Sequence, residues 1–174
     1  MRGLPAASEI FFDGTNIHAG TAETNTTMKT RTLNIYLADD DLDDCTFFSN
    51  ALEKAAPGSQ LVAVHDGQAL LVALRAIKAP PDLIVLDINM PVMDGYDCMR
   101  NLKADPLLRE IPVAVLTTSS AEYDIERLFS LGANLFASKP GTYAGLVALV
   151  GILAGTDWKA GLPQPGRDSF RISV

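Results

Sequence analysis

Short apolar segments alternate with amphipathic segments along the chain from residue 33 onward. The apolar segments have the length of strands and cover residues 33–38, 61–64, 83–86, 113–116 and 135–137. Their apolar positions are continuous, which is typical of strands buried on both faces of a parallel sheet. Between them apolar residues recur at helical spacing, as Phe48, Leu52 and Ala55 do before Pro57-Gly58. The pattern predicts an α/β protein with a flavodoxin-like, doubly wound, five-stranded parallel sheet of order 2-1-3-4-5 and five helices.

The segments outside this pattern predict the domain organisation. Residues 1–30 are rich in Thr around positions 19–32 and lack apolar periodicity, so we predict a flexible leader, with Met28 as an alternative start. Residues 31–154 form the predicted domain, and 174 residues suit one domain rather than two. Residues 155–174 form a C-terminal tail in which we expect Trp158 to pack on the last helix and the rest to be loose.

Composition and charge exclude several classes of function. The net charge of −7 and the scattered basic residues argue against nucleic-acid binding. No apolar run approaches the roughly 20 residues of a membrane-spanning helix. Cys45 and Cys98 lack metal-ligand spacing and are interpreted as reduced, buried thiols. These features predict a cytoplasmic protein without a membrane partner.

Polar residues stand at the ends of four predicted strands. Asp39 and Asp40 follow the first strand, Asp87 the third, Thr117 the fourth and Lys139 the fifth. Ligands of open α/β sheets bind at this edge, and the predicted order makes strands 1 and 3 neighbours, so three carboxylates converge. Their mutual repulsion is relieved by a hard divalent cation such as Mg2+. The ammonium and the hydroxyl would lie where phosphate oxygens sit, which suits formation of an acyl phosphate on a carboxylate.

Other polar residues near these strands are interpreted as structural. Asp41, Asp43 and Asp44 are expected to form a solvated helix start, because Asp favours N-caps and first turns. Asp94-Gly95 is expected to be a turn that opens the third helix. His65, at the end of the second strand, suggests a packing role.

Four segments in order resemble a known family. They are Leu-Ala-Asp-Asp-Asp (37–41), Leu-Ile-Val-Leu-Asp-Ile-Asn-Met-Pro-Val-Met-Asp-Gly (83–95), Val-Leu-Thr-Thr-Ser (115–119) and Ser-Lys-Pro (138–140). Residues 33–154 resemble a response-regulator receiver domain of bacterial two-component signalling. The resemblance implies that Asp87 is the phosphoacceptor, with a sensor histidine kinase or phosphotransfer protein as donor. Asp40 would bind Mg2+ directly, Asp39 would bind it partly through water, and Asn89 would add its backbone carbonyl.

The resemblance also implies how the site responds to phosphate. Lys139 would bind a phosphate oxygen, and the peptide bond before Pro140 would be cis. Thr117 would be the hydroxyl switch and Phe136 its aromatic partner. A hydroxyl drawn towards the phosphate would leave space that the ring of Phe136 can fill.

These expectations lead to one predicted function and one alternative. The prediction is a stand-alone receiver, more loosely similar to regulators partnered with sensor kinases such as phytochromes, whose output is contact with a downstream protein. It would be a phosphoacceptor with self-catalysed phosphotransfer and autodephosphorylation rather than an enzyme. The sequence leaves open whether the protein forms a homodimer. The alternative is a pseudo-receiver that is not phosphorylated and acts as a binding scaffold. A flavodoxin-like electron carrier is excluded, because its anionic cofactor would meet the run Asp39-Asp40-Asp41.

Overall fold

Strands and helices alternate through the part of the chain that the computed structural model describes, residues 32–119, 121–158 and 170–172. The strands are β1 Asn34–Ala38, β2 Gln60–Val64, β3 Leu83–Leu86, β4 Val113–Thr117, β5 Leu135–Ser138 and β6 Arg171–Ile172. The helices are α1 Leu42–Ala55, α2 Gly67–Ala76, α3 Gly95–Ala104, α4 Glu122–Ser130 and α5 Tyr143–Gly155. The predicted succession of five strand–helix units is confirmed.

Side-chain caps fix where four of these helices begin. Asp41, Asp66, Asp94 and Thr142 each accept a hydrogen bond from a backbone N–H in the first turn of the helix that follows. Such caps satisfy donors that have no partner inside the helix. The interpretation of Asp41 as a helix start and of Asp94-Gly95 as the turn that opens the third helix agrees with these contacts.

The sheet is parallel throughout and has the order β2-β1-β3-β4-β5-β6. The predicted order 2-1-3-4-5 is therefore confirmed, and a sixth strand of two residues extends the sheet beside β5. The register pairs Ala38 with Leu86 across β1 and β3, and Thr117 with Ser138 across β4 and β5. The carboxyl ends of the four central strands thus meet at one edge, as the strand-end argument requires.

Alternating strand residues supply two separate cores. Ile84 and Leu86 of β3 face the core under α2, α3 and α4, whereas Leu83 and Val85 face the core under α1 and α5. All four side chains are fully buried. Burial on both faces explains why the strand segments of the sequence are continuously apolar.

The described residues of the C-terminal tail pack on the domain, whereas we expected only Trp158 to do so. Trp158 packs as expected, with its indole Nε1 donating to the Leu153 carbonyl at 2.7 Å. Phe170, however, is 1% exposed, and Arg171 and Ile172 pair with Phe136 and Ala137 of β5. A two-residue strand shows no periodicity, so the pattern of the sequence could not reveal it.

The described residues leave some predictions untested. The proposed leader and the alternative start at Met28 lie outside them. Within residues 32–119, 121–158 and 170–172, no helix is both long enough and apolar enough to span a bilayer.

Candidate phosphoacceptor site

Three carboxylates converge at the carboxyl ends of β1 and β3. Asp39 follows the β1 residue Ala38 and Asp87 follows its β3 partner Leu86, so the two acids extend neighbouring strands. Asp39 is 3% exposed and Asp87 6%, whereas Asp40 is exposed. One oxygen from each of the three lies within 4.8 Å of the others. The structure brings together the acids that the sequence predicted would meet.

Lys139 crosses over these acids from the end of β5. Its Nζ lies 2.7 Å from Asp39 Oδ2, 2.9 Å from Asp87 Oδ2 and 2.7 Å from Asp44 Oδ2. Burial alone would lower the pKa of Lys139, but hydrogen bonds to these three carboxylates outweigh burial and raise the pKa. The ammonium therefore stays charged at neutral pH and holds one oxygen of Asp87.

Asp44 takes part in this site, contrary to our interpretation of it as a solvated helix residue. It lies in the first turn of α1, where Asp41 Oδ1 accepts from the backbone N–H groups of Asp43 at 2.8 Å and Asp44 at 3.2 Å. The side chain of Asp44 contacts Lys139, whereas Asp43 is exposed. The contact joins residues 95 positions apart. Local sequence patterns therefore could not show that Asp44 belongs to the site and Asp43 does not.

The electrostatics of the site favour a bound cation. Burial raises the pKa of Asp39, which the hydrogen bonds from Lys139 and from the Asp41 N–H partly oppose, and the nearby charge of Asp87 raises it further. Asp44 is a third carboxylate on Lys139, and Asp40 adds another negative charge beside the pair. Mg2+ prefers a few carboxylate oxygens together with water or phosphate oxygens. The donor set of Asp39, Asp40 and Asp87 fits such a hard divalent cation.

The backbone around Asp87 fixes the orientation of its carboxylate. Oδ1 accepts from the N–H of Ile88 at 2.6 Å and of Asn89 at 3.3 Å, so Lys139 binds the other oxygen. A Cβ on Gly95 would lie 2.4 Å from the Asp87 carbonyl oxygen. The start of α3 therefore packs directly on the Asp87 backbone, and the glycine is required by this close approach. The sequence pattern predicted only a turn at Asp94-Gly95 and did not reveal this support of the acceptor.

The remaining predicted residues lie on β4, β5 and the Asp87 loop. Thr117 ends β4, is fully buried, and its Oγ1 accepts from the Ser119 N–H at 3.4 Å. Phe136 is fully buried on β5, with its ring centroid 6.3 Å from that of Phe170. The switch roles of Thr117 and Phe136 and the metal-binding role of the Asn89 carbonyl stay predictions.

The expectation of a cis bond before Pro140 is wrong for this structure. No cis peptide bond occurs in residues 32–119, 121–158 or 170–172, a range that includes Lys139-Pro140. The trans form is the intrinsically preferred one, by about 0.5–1 kcal/mol for bonds to proline. In this arrangement the Lys139 backbone N–H donates to the Thr117 carbonyl at 2.8 Å, while its Nζ contacts the three carboxylates.

Comparison with known proteins agrees with this geometry. The family model of the response regulator receiver domain matches residues 35–151. The chain belongs to the response regulator receiver family. Response regulator Rcp1 of Synechocystis is 31% identical over 121 residues, which cover 67% of this chain and 82% of Rcp1.

Two solved receiver structures extend the comparison to three dimensions. The crystal structure of the phosphorylated cyanobacterial phytochrome response regulator RcpA has a TM-score of 0.69 and 31% identity, covering 76% of this chain and 98% of RcpA. The Mn2+-bound form of Rcp1 has a TM-score of 0.65 and 28% identity, covering 77% of this chain and 99% of that structure. The flavodoxin-like fold of these receivers is the fold of this chain.

Proposed function

We propose that this receiver accepts a phosphoryl group on Asp87 from a phosphohistidine. A carboxylate oxygen of Asp87 would form a bond to phosphorus while the bond between phosphorus and the donor imidazole nitrogen breaks. No general base is needed, because a carboxylate oxygen attacks through a lone pair and has no proton to lose. The observation that supports this most is the convergence of Asp39, Asp40 and Asp87, with Lys139 bonded to the acceptor.

Each neighbouring group has a defined task in this proposal. Asp39, Asp40 and Asp87 would hold Mg2+, together with the Asn89 carbonyl, and the ion would supply positive charge for the incoming phosphoryl oxygens. Lys139 would exchange part of its carboxylate contacts for a phosphoryl oxygen, and the Thr117 hydroxyl would donate to another. A divalent metal in this pocket is supported by the Mn2+-bound Rcp1 structure. The choice of Mg2+ follows from the oxygen-only donor set.

Partners and output follow from membership of the family. Response regulator receivers interact with histidine kinases or phosphotransfer proteins, and we propose one of these as the donor here. We further propose a stand-alone regulator that signals by protein contact, because the similarity covers 82% of Rcp1 and 98% of RcpA. The chain would modify its own Asp87 and later lose the phosphate by hydrolysis, rather than convert a separate substrate. The cytoplasm is the proposed compartment.

Intact-mass measurement after incubation with a small phosphodonor such as phosphoramidate tests the assignment. The unaltered protein should gain one phosphoryl group in the presence of Mg2+, and a chelator should abolish the gain because the converging carboxylates then repel the donor. Asp87→Asn should gain none. Asp43→Asn is the matched control, since Asp43 belongs to the same acidic run but is exposed away from Lys139, and it should gain phosphate normally.

Two results would contradict the proposal. Persistent labelling of Asp87→Asn would place the acceptor elsewhere. No uptake by the folded, Mg2+-saturated protein from any phosphodonor or kinase would instead favour the scaffold alternative.

A further inference from the structure

A polar cluster joins α3 to the start of α4, outside the acidic site. Asp124, in the first turn of α4, accepts hydrogen bonds on both carboxylate oxygens. Tyr96 of α3 donates its hydroxyl to Oδ1 at 2.5 Å, and Ser119 donates its hydroxyl to Oδ2. We call Tyr96, Asp124 and Ser119 the α3–α4 latch.

The latch is held in one orientation by charge and stacking. The Arg127 guanidinium lies 3.8 Å from the centroid of the Tyr96 ring, a cation–π arrangement that fixes the ring against α4. Burial, followed by the bond to Asp124, raises the pKa of Tyr96, and the bonds from Ser119 and Tyr96 lower the pKa of Asp124. At neutral pH the phenol is therefore a donor and the carboxylate an acceptor, as the two bonds require.

Ser119 connects the latch to the candidate phosphoacceptor site. Its backbone N–H donates to Thr117 Oγ1 at 3.4 Å, while its own hydroxyl is bound to Asp124. If the Thr117 hydroxyl turned to a phosphoryl group on Asp87, the Ser119 N–H would have to follow or lose its acceptor. Ser119 cannot follow freely without lengthening its bond to Asp124.

A purely architectural explanation of the cluster is the alternative to be tested. The N-cap of α4 is Ala121, which has no side chain able to cap the helix. The Ser119–Asp124 bond could therefore serve only to anchor the helix start. That explanation does not use the Tyr96 hydroxyl, whose bond ties the same carboxylate to a different helix.

We propose that Tyr96, Asp124 and Ser119 are positioning residues that hold Ser119, and through it Thr117, in the resting arrangement. The inference rests on the proposed function, because a phosphoryl group on Asp87 is what draws Thr117 away. A contact that exists only in the resting state stabilises that state, so the activated state becomes less favourable by the free energy of the contact. Weakening the latch should therefore tighten the binding of a phosphoryl analogue at Asp87, by thermodynamic linkage.

Calorimetric titration of beryllofluoride into the Mg2+-saturated full chain measures this effect. Tyr96→Phe keeps the ring over Arg127 and removes only the hydroxyl, so its affinity should rise roughly fivefold. Asp124→Ala removes the acceptor of both bonds and should raise affinity by roughly 5- to 10-fold, and adding Tyr96→Phe to it should give little more, because Asp124 is the acceptor of the Tyr96 bond. Ser119→Thr, which keeps a hydroxyl, should bind as the unaltered protein does, and so should Tyr123→Phe, a neighbouring exposed tyrosine outside the latch.

The outcomes separate the latch from the phosphoacceptor assignment. If the unaltered protein binds beryllofluoride and the Tyr96 and Asp124 variants bind it equally or more weakly, the latch is wrong and Asp87 keeps its role. Lower melting temperatures without tighter binding would show an anchor for α4 only. If the unaltered protein binds no beryllofluoride, both proposals fail. Amide signals of Thr117 and Ser119 should also shift in Tyr96→Phe before any analogue is added, and unchanged signals would contradict the positioning role.

Discussion

Both faces of the sheet have an apolar core, but the contacts added around the two cores differ. On one face α1 and α5 pack against the strands and each other, and their buried core residues are Cys45, Phe48, Ala51 and Leu52 of α1 and Leu149, Val150, Leu153 and Ala154 of α5. On the other face the rings of Phe129, Phe136 and Phe170 cluster, with centroids 5.2 Å and 6.3 Å apart in the two pairs that Phe170 makes. The α3–α4 latch lies on this second face.

The difference indicates which face can rearrange when the state of Asp87 changes and which face stays fixed. The close-packed apolar contacts between α1, α5 and the sheet have few alternative arrangements and resist small displacements. Directional hydrogen bonds and a short, separately added strand can be exchanged or released as units. We therefore regard the face under α1 and α5 as the frame that holds Asp39 and Asp44 in place. The other face, with α4, Phe136 and the added strand β6, is the part that responds.

The largest expected effect is a loss of stability when a buried side chain of the α1–α5 frame is truncated. Leu149→Ala removes a fully buried side chain from α5 and should lower the free energy of unfolding by about 2–5 kcal/mol, because a cavity remains. Chemical denaturation measures it, with Ile152→Ala as the matched control, since Ile152 lies on the same helix and is 40% exposed. Beryllofluoride should still produce its usual amide-shift pattern in Leu149→Ala. An altered pattern would show that the two faces are not separate.

Phe170→Ala, on the responding face, should lower the free energy of unfolding by a smaller amount. The lost burial is worth about 1.5–3 kcal/mol, and the tail can undock instead of leaving a cavity. Hydrogen exchange should show the β5 amides that face β6 losing protection while the α1 and α5 amides keep theirs. If protection falls equally in α1 and α5, β6 is part of the common core rather than a separable element.

The smallest effect concerns the two thiols, one on each face. Burial, together with Asp39, raises the pKa of Cys45 to about 11, and burial with Asp66 and Asp94 raises the pKa of Cys98 to about 12. The thiolate is the form that reacts with alkylating reagents. At pH 8 about one Cys45 thiol in a thousand and about one Cys98 thiol in ten thousand would be ionised. Native protein should therefore resist alkylation at pH 8, Cys98 more than Cys45, and both should react faster as pH rises towards these values. Cys45→Ala and Cys98→Ala give single-thiol proteins for the measurement, and fast labelling of Cys98 would show that its face opens readily.

The convergence of Asp39, Asp40 and Asp87 could be predicted because the strands follow from local patterns and 2-1-3-4-5 is a common strand order of doubly wound sheets. Continuous apolar runs identify buried parallel strands, and the residue after each strand must lie at the shared edge. Lys139 was found for the same reason, as the residue directly after β5.

The features that the sequence did not predict depend on contacts between distant residues. Asp44 reaches Lys139 across 95 positions, and nothing in its immediate surroundings distinguishes it from Asp43. Tyr96 meets Asp124 across 28 positions, and the α3 pattern identifies it only as a residue of the first turn. The Phe170–Ile172 tail is too short to show a period.

Amide chemical shifts with and without beryllofluoride and Mg2+ test the central claim, that one face of the sheet responds to the state of Asp87. Apart from the loops that carry the site, changes should concentrate in residues 117–140 and 170–172 and be small along α1 and α5. They should weaken greatly in Thr117→Ala, which lacks the hydroxyl that would follow the analogue. Changes confined to the loops around Asp87, changes spread equally over α1 and α5, or an undiminished response of Thr117→Ala would contradict the account.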